Sequence, residues 1–351
     1  GAEVVSVGMS TPGIDSELVT AWLDAHIEGI EGSYKFTLIE GGRSNLTYMV
    51  TDRHGRRFVL RRPPLGHVLA TAHDMAREHK IISAVGTTDV PVPRTLGLCV
   101  DASVNQAPFY VMDFVDGVVL DSPEKGAELS IEQRKAVAFD LVDVLADLHA
   151  VDVDAVGLGD LARREGYVGR QLKRWTRQWA DSRTRDLPEI DEVAHLLAAS
   201  IPQQHSVSIA HGDYRLGNCL TNLDSNRIAA VLDWELCTLG DPLADLGYLG
   251  VYWADPDGNG QRSNDPTGAG GFPSYQQLVE RYAARTGRDV SNIPYFVAFS
   301  AFRLAVISEG VYARYLHGAM GDDVDEEILN GFRDAVEELA VGALTTLRSG
   351  I

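Results

Sequence analysis

Cysteine is scarce in this chain: Cys99, Cys219 and Cys237 are all that 351 residues hold. An odd number with no C-x-x-C pair supports neither a disulfide framework nor a structural zinc site, and fits a reducing cytosol best. Basic residues are short as well. Thirty-one Lys and Arg against fifty Asp and Glu leave a formal charge of −19, a field that repels nucleic acid and anionic membrane surfaces. No nucleic-acid partner and no membrane partner are expected. Long apolar runs are also missing, since no stretch approaches the roughly eighteen consecutive apolar residues of a membrane span. Gly1 to Ser10 lacks the basic and apolar blocks of a secretory signal. The expectation is a soluble, cytoplasmic protein.

What is present is ordinary for a globular chain: 45% apolar and 23% charged residues, with length for about two domains at roughly 150 residues each. Asp15 to Ile27 places Ile14, Leu18, Trp22, Leu23 and Ile27 at helical spacing. Tyr34 to Glu40, Thr47 to Asp52 and Arg57 to Arg61 then read as three short antiparallel strands, separated by Gly41-Gly42 and by the His54-Gly55 turn. Pro63-Pro64 stops the third strand. Ala70 to Val85 predicts a helix, Val90 to Leu98 an extended segment, and Phe109 to Val115 a further apolar strand.

After the turn at Asp116-Gly117 the pattern becomes helical. Ser130-Ile131-Glu132-Gln133 and Ser274 to Gln277 are capping boxes, and Pro294 to Leu316 and Val324 to Leu347 predict two long helices. The reading is α+β: a small antiparallel-sheet lobe over 1–113, a break at about 112–117, and a mainly helical lobe over 118–351. Asp255 to Gly271 concentrates Gly, Pro, Asn and Asp and reads as a long surface loop.

The chemistry is concentrated in Ile209-Ala210-His211-Gly212-Asp213-Tyr214-Arg215-Leu216-Gly217-Asn218, followed by the apolar run into Asp233. An Asp five residues before an Asn, with a second Asp at the end of a strand, is a spacing suited to phosphoryl transfer. The first Asp orients an attacking hydroxyl and accepts its proton, while Asn and the second Asp hold Mg²⁺ against the phosphates. Asp213 is therefore the candidate catalytic base, and Asn218 and Asp233 the candidate metal ligands.

His211 to Asn218 resembles the H-G-D-x-x-x-x-N motif of the aminoglycoside phosphotransferase and choline kinase superfamily. The likeness extends to Leu232-Asp233-Trp234-Glu235, to Gly240-Asp241-Pro242 with Asp245, to Gly41 to Tyr48, and to Phe58-Val59-Leu60-Arg61-Arg62. Taken together these stretches are most similar to the phosphotransferase domain found fused to acyl-CoA dehydrogenases. The resemblance implies a protein-kinase-like two-lobe fold, with ATP and Mg²⁺ as cofactors and a small-molecule hydroxyl acceptor. That acceptor would be an endogenous hydroxylated metabolite, a hydroxyacyl thioester or an aminoglycoside.

The resemblance also assigns roles by position. Gly42, Ser44 and Asn45 of the first hairpin would cover phosphates. Arg61 stands where such enzymes carry a phosphate-gripping Lys, with Arg62 as the alternative by a one-residue slip, and Glu78 would be its carboxylate partner. Asp113, Phe114 and Val115 would meet the adenine edge. Tyr248, Tyr252, Trp253 and Asp255 would contribute to the substrate pocket, and the helix of Trp175 and Trp179 is a further candidate wall. His211, Asp241 and Asp245 would brace the catalytic loop, and Glu235 would lie beside the metal ligands. Because Arg61 departs from the usual Lys, a nucleotide-binding pseudokinase acting as a regulatory module is the alternative reading.

Overall fold

The computed structural model describes residues 11–41, 45–66, 74–258, 265–318 and 325–350. The chain divides into two compact units, Gly1–Gly117 with Ala229–Glu235, and Val118–Ile228 with Leu236–Ile351. The stretch that carries Asp233 thus packs with the first unit, although it lies beyond residue 118 in sequence.

In the first unit, helix α1 (Ser16–His26) starts where the Asp15 carboxylate accepts the Leu18 amide. It is followed by β1 (Lys35–Glu40), β2 (Leu46–Thr51) and β3 (Arg57–Arg62), then helix α2 (Met75–Val85), β4 (Thr95–Cys99) and β5 (Phe109–Asp113). The strands form one antiparallel sheet in the order β1-β2-β3-β5-β4. Several expected boundaries shift, those of β1, β2 and β3 by one residue, and β4 runs over Thr95–Cys99 where an extended segment is expected over Val90 to Leu98. Helix α2 begins at Met75, not Ala70, because the Asp74 side chain caps it by accepting the Arg77 amide; residues 70–73 lie outside the described residues. β5 stops at Asp113, two residues short of Val115.

Side-chain alternation decides what each face of this sheet does. Leu46, Tyr48 and Val50, with Phe58, Leu60, Phe109 and Val111, pack against Val19, Leu23 and Ile27 in a buried core. The intervening residues Thr47, Arg61 and Tyr110 point to the other face. They stand side by side in the register Thr47↔Arg61↔Tyr110. A polar row on one face is therefore the direct result of an apolar row on the other.

The second unit is mainly helical: α3 (Ile131–His149), α4 (Tyr167–Ser182), α5 (Pro188–Ala199), α6 (Pro242–Val251), α7 (Tyr275–Thr286), α8 (Ile293–Leu316) and α9 (Glu326–Ser349). Both expected capping boxes are present, at Ser130 with Gln133 and at Ser274 with Gln277. Short strands β6 (Ser208–Ala210) and β9 (Thr238–Gly240) pair antiparallel and bracket the His211 segment. Between them run β7 (Cys219–Asn222) and β8 (Arg227–Val231). Helix α9 begins at Glu326; Val324, its expected start, lies outside the described residues. Helix α8 is long and apolar enough to cross a membrane by composition, at a mean hydropathy of 1.4, but 61% of that window is buried inside the protein, as a core helix requires. All three cysteines are buried.

Candidate active site

In the first unit the site is built around Arg61, which β3 delivers almost fully buried. Its Nε donates to Glu78 Oε1 at 3.0 Å and its Nη1 to Thr47 Oγ1 at 2.9 Å. Its Nη2 lies 3.4 Å from Asp233 Oδ1, and Nη1 lies 3.7 Å from Glu40 Oε2. Arg61, not Arg62, therefore makes the pair expected with Glu78. Arg62 is spent on backbone, donating to the carbonyls of Pro63 and Gly13.

Glu78 is buried and fully engaged, accepting also from Tyr110 Oη at 3.0 Å and Asn45 Nδ2 at 2.9 Å. Asn45 was expected to face phosphate. Instead it is completely buried with its amide donor committed to Glu78, so it braces the carboxylate from below. Gly42 and Ser44, the other two hairpin positions, lie outside the described residues.

Three carboxylates stand within 4.0 Å of one guanidinium, leaving a local formal charge of 1 − 3 = −2. Although burial disfavours its charge, Arg61 is held more firmly protonated than an ordinary Arg by these neighbours. Glu40 is pushed up by burial and then by Asp233. Asp233 itself sits at φ 58°, in the left-handed region that costs about 1–2 kcal/mol for a residue with a Cβ. Such a backbone persists where surrounding structure enforces it and clusters at functional positions. A cavity of about 40 Å³ is lined by Glu40, Arg61, Tyr110, Met112 and Asp233 among others.

The residues expected at the adenine edge behave differently from one another. The Asp113 amide donates to the Arg94 carbonyl at 2.8 Å and its carboxylate accepts from Arg94 Nε at 3.0 Å. Its N–H is thus not open to a base. Phe114 carries the Arg57 guanidinium over its ring at 4.4 Å. Val115 is half-buried beyond the strand end.

In the second unit the His211–Asn218 loop is anchored by one buried carboxylate. Asp245 Oδ2 accepts the His211 amide at 2.9 Å and Oδ1 the Gly212 amide at 3.0 Å, while Oδ2 also pairs with His149 Nε2 at 2.9 Å. His149 passes the contact on to Tyr282 Oη at 2.7 Å. Burial raises the Asp245 pKa, but the His149 hydrogen bond and charge more than offset it, and the carboxyl ends below its ordinary value. Gly212 has φ +89°, and a Cβ there would stand 2.8 Å from the Leu236 carbonyl, so only glycine fits this turn. His211 is fully buried and its Nδ1 accepts the Asp213 amide at 3.1 Å, so it holds the loop backbone from within. Asp241 instead caps helix α6 through the Leu243 amide, and burial pushes its carboxyl up.

The Asp213 carboxylate is half-exposed and asymmetrically held. Its Oδ1 accepts from Tyr248 Oη and from Arg215 Nε at 3.4 Å, leaving no described partner on Oδ2. Burial and the Asp213 charge push the Tyr248 hydroxyl well above its ordinary pKa, which keeps it a donor. Arg215 stacks 4.9 Å over Tyr252, and Arg303 lies over both Tyr248 and Trp175 while donating to the Gly212 carbonyl at 2.8 Å. Asn218 Nδ2 donates to the Asp213 carbonyl at 2.8 Å, which fixes the side chain against the loop.

Of the expected pocket residues, Tyr252 joins this group. Trp253 does not: it is buried, with its indole donating to the Pro273 carbonyl and its ring against Phe272. Asp255 is exposed. Glu235 is half-buried. The loop around Asp255 is partly tied down, since Thr267 Oγ1 is buried and accepts the Ala254 amide; residues 259–264 lie outside the described residues.

Sequence reasoning gives no role to Thr47, Tyr110, Arg215 or Arg303, and gives Tyr248 only to the substrate pocket, not to the Asp213 carboxylate. The register partners of Arg61 follow from β pairing, and Arg215 stands two residues after Asp213. Tyr248 and Arg303 are joined to the loop only by folding. Among the described residues no group of three or more His, Cys, Asp or Glu forms a ready-made metal cage. Asp233 and the Asn218 amide oxygen are hard oxygen donors, and the surplus negative charge around Arg61 suits a divalent cation. Mg²⁺ commonly takes one or two protein oxygens and completes its shell with phosphate and water, so each of these residues, one in each unit, has the donor chemistry it takes.

The profile of the Phosphotransferase enzyme family (APH) matches residues 35–280, and the chain belongs to that family. Its fold is the kinase-like fold of aminoglycoside phosphotransferases. A presumed aminoglycoside phosphotransferase from Ralstonia eutropha JMP134 is 33% identical, with a TM-score of 0.80 over 94% of this chain and 98% of that one. The crystal structure of a thermostable mutant of APH(4)-Ia with AMP-PNP and hygromycin B superposes with a TM-score of 0.61 at 15% identity, over 95% and 98% of the two chains. Mouse acyl-CoA dehydrogenase family member 10 is 34% identical over 84% of this chain and 28% of its own length. Rat acyl-CoA dehydrogenase family member 11 is 34% identical over 87% and 40%. The chain thus spans well under half of these curated relatives.

Proposed function

We propose that the chain is an ATP- and Mg²⁺-dependent kinase that transfers the γ-phosphoryl group to a hydroxyl of a small molecule. The observation that carries this reading is the Asp213 carboxylate. It is held at Oδ1 by Tyr248 and Arg215, and its loop is anchored by Asp245. In this role Asp213 Oδ2 accepts the hydroxyl proton while the acceptor oxygen bonds to phosphorus and ADP leaves. Mg²⁺, when bound, neutralises charge on the phosphates, and Asn218 and Asp233 would hold it. Arg61, fixed by Glu78 and Thr47, presents a permanent positive charge to phosphate oxygens. Catalysis then comes mostly from positioning and charge complementarity.

Among acceptors, an endogenous hydroxylated metabolite or hydroxyacyl thioester ranks ahead of an aminoglycoside. The names of the curated relatives, acyl-CoA dehydrogenase family members, support that order. A cytosolic location belongs to the same proposal. The pseudokinase alternative rests on Arg61 replacing Lys, and the Arg61–Glu78 ion pair speaks against it.

The reading is tested by acceptor-dependent ADP release from Mg·ATP over a panel of hydroxyacyl-CoAs, aminoglycosides, choline and small sugars. ADP formed with one acceptor class supports it and names the substrate. Tight ATP binding with no stimulating acceptor favours the pseudokinase, and no ATP binding overturns both.

Two variants probe the geometry. From sequence alone, Arg61→Lys is expected to keep or raise activity. The geometry argues for the opposite outcome, because a lysine ammonium is a single point of charge and lacks the separated, forked donors that Arg61 extends to Glu78, Thr47 and Asp233. We expect a stability loss of about 1–2 kcal/mol in urea melts, from the hydrogen bonds left unmade, together with lower turnover; equal melts and turnover would refute the fork. Tyr248→Phe should leave the melt nearly unchanged and lower kcat about tenfold, or about 1.4 kcal/mol, by freeing the carboxylate to rotate. An unchanged kcat would show that Tyr248 does not orient the base.

A further inference from the structure

Away from Asp213, the outer face of helix α4 breaks the charge pattern of the molecule. Arg170, Lys173, Arg174 and Arg177 follow one another at helical spacing along a groove of about 480 Å³. Most described arginines elsewhere hold a carboxylate within 4.0 Å, as do Arg53, Arg164, Arg281 and Arg348. None of these four does, although Asp181 stands at the end of the same groove. One buried polar atom of the groove has no hydrogen-bond partner, Arg170 Nη1, and neither has the indole nitrogen of Trp175, buried on the inner side of the same helix. Arg314 of α8 adds a further charge: its Nη1 and Gln178 Nε2 each lie 3.8 Å from the point where a Cβ on Gly310 would stand.

Four like charges on successive turns repel one another and cost stability unless something offsets them. In a chain of net charge −19 this concentration is not general solubility charge, which here is acidic. The face is also linked to the proposed base by continuous contacts. Arg174 lies 4.9 Å over Trp175, Arg303 lies 5.8 Å over the same ring and 5.4 Å over Tyr248, and Tyr248 donates to Asp213.

We infer that the outer face of α4 binds the phosphate-bearing, non-reacting part of the acceptor, whose hydroxyl lies at Asp213. This rests on the kinase reading and narrows its acceptor to an extended anion. A polycationic aminoglycoside would meet repulsion on this face. A phosphate-bearing tail would meet Lys173, Arg174 and Arg177, none of which holds a carboxylate, with Asp181 only at the groove's end; Arg174 and Arg177 can each bind phosphate bidentately, while Arg170, which donates to the Arg163 carbonyl, adds charge.

The test is calorimetric titration of the full chain with coenzyme A, whose phosphates make it the probe, after the nucleotide site has been filled with Mg·AMP-PNP. Pantetheine, hygromycin B and a short DNA duplex are titrated in parallel. Coenzyme A should bind, weaken as salt rises, and exceed pantetheine by about tenfold or more. Hygromycin B should not bind. The triple variant Lys173→Glu, Arg174→Glu, Arg177→Glu should lose coenzyme A binding while keeping AMP-PNP affinity, and the milder triple Gln variant should lose part of it. All three positions are exposed, so the fold should be unaffected.

Absent binding of coenzyme A, equal affinity for pantetheine, or an unchanged dissociation constant in the charge-reversed variant would overturn the inference. Binding of duplex DNA in preference to coenzyme A would overturn it in favour of a macromolecular partner. Failure of AMP-PNP to bind would instead strike the kinase reading, and the titration without nucleotide would still read the groove.

Discussion

Asp213→Asn should lower acceptor-dependent ADP release by about 10²–10⁴-fold, the range supplied by a positioned general base, while Mg·AMP-PNP affinity stays unchanged. The amide keeps the size of the carboxylate and still accepts from Tyr248 and Arg215 through its oxygen, so the loop is not disturbed. What it loses is the ability to take a proton. A fall in kcat with nucleotide binding intact is the signature of an interaction made in the transition state alone. Retained turnover would remove Asp213 from the role, and a parallel loss of nucleotide affinity would show that the residue acts through the fold.

Asp245→Ala should have the largest effect on stability. The carboxylate is buried, and its removal leaves the amides of His211 and Gly212 and the His149 ring without their acceptor at once. Breaking such a buried cluster costs about 3–5 kcal/mol, readable in urea melts, and turnover should fall with it because both amides belong to the catalytic loop. The linkage with pH has a definite sign. Burial raises this carboxyl but His149 brings it below the ordinary value. Its stabilisation is therefore complete above the ordinary carboxylate range and is lost as pH falls below it. The parent should lose stability on acidification through that range more steeply than Asp245→Asn; parallel pH profiles would sink the assignment.

The legible parts of this molecule were the local ones. Three strands, their turns and both capping boxes follow from residues within a few positions of each other, and so does the His211–Asn218 loop. Its spacing to Asp233 reflects one β-hairpin, which fixes how far apart the two acids emerge in sequence. The Arg61–Glu78 pair was readable only through resemblance, because it joins a strand to a helix 17 residues away.

What escaped were contacts made by packing. Asn45 reads as a phosphate-covering turn residue, yet burial turns it onto Glu78. Trp253 reads as pocket wall, yet its indole finds a carbonyl inside the core, the more common fate of a buried Trp. Tyr248 and Arg303 stand 35 and 91 residues from the loop groups they touch, distances at which periodicity says nothing. Helix α4 showed its two tryptophans as a stripe, but the meaning of its basic face depended on learning that those charges have no carboxylate partners.

The guanidinium of Arg61 has a practical consequence for detection. Reagents that survey nucleotide sites by acylating a lysine amine beside the phosphates require a free-base nitrogen, and a guanidinium held so firmly protonated by Glu78, Asp233 and Glu40 offers none. A chemoproteomic survey of that kind would pass over this chain however tightly it held ATP, and silence in such a survey would carry no information about whether it turns over.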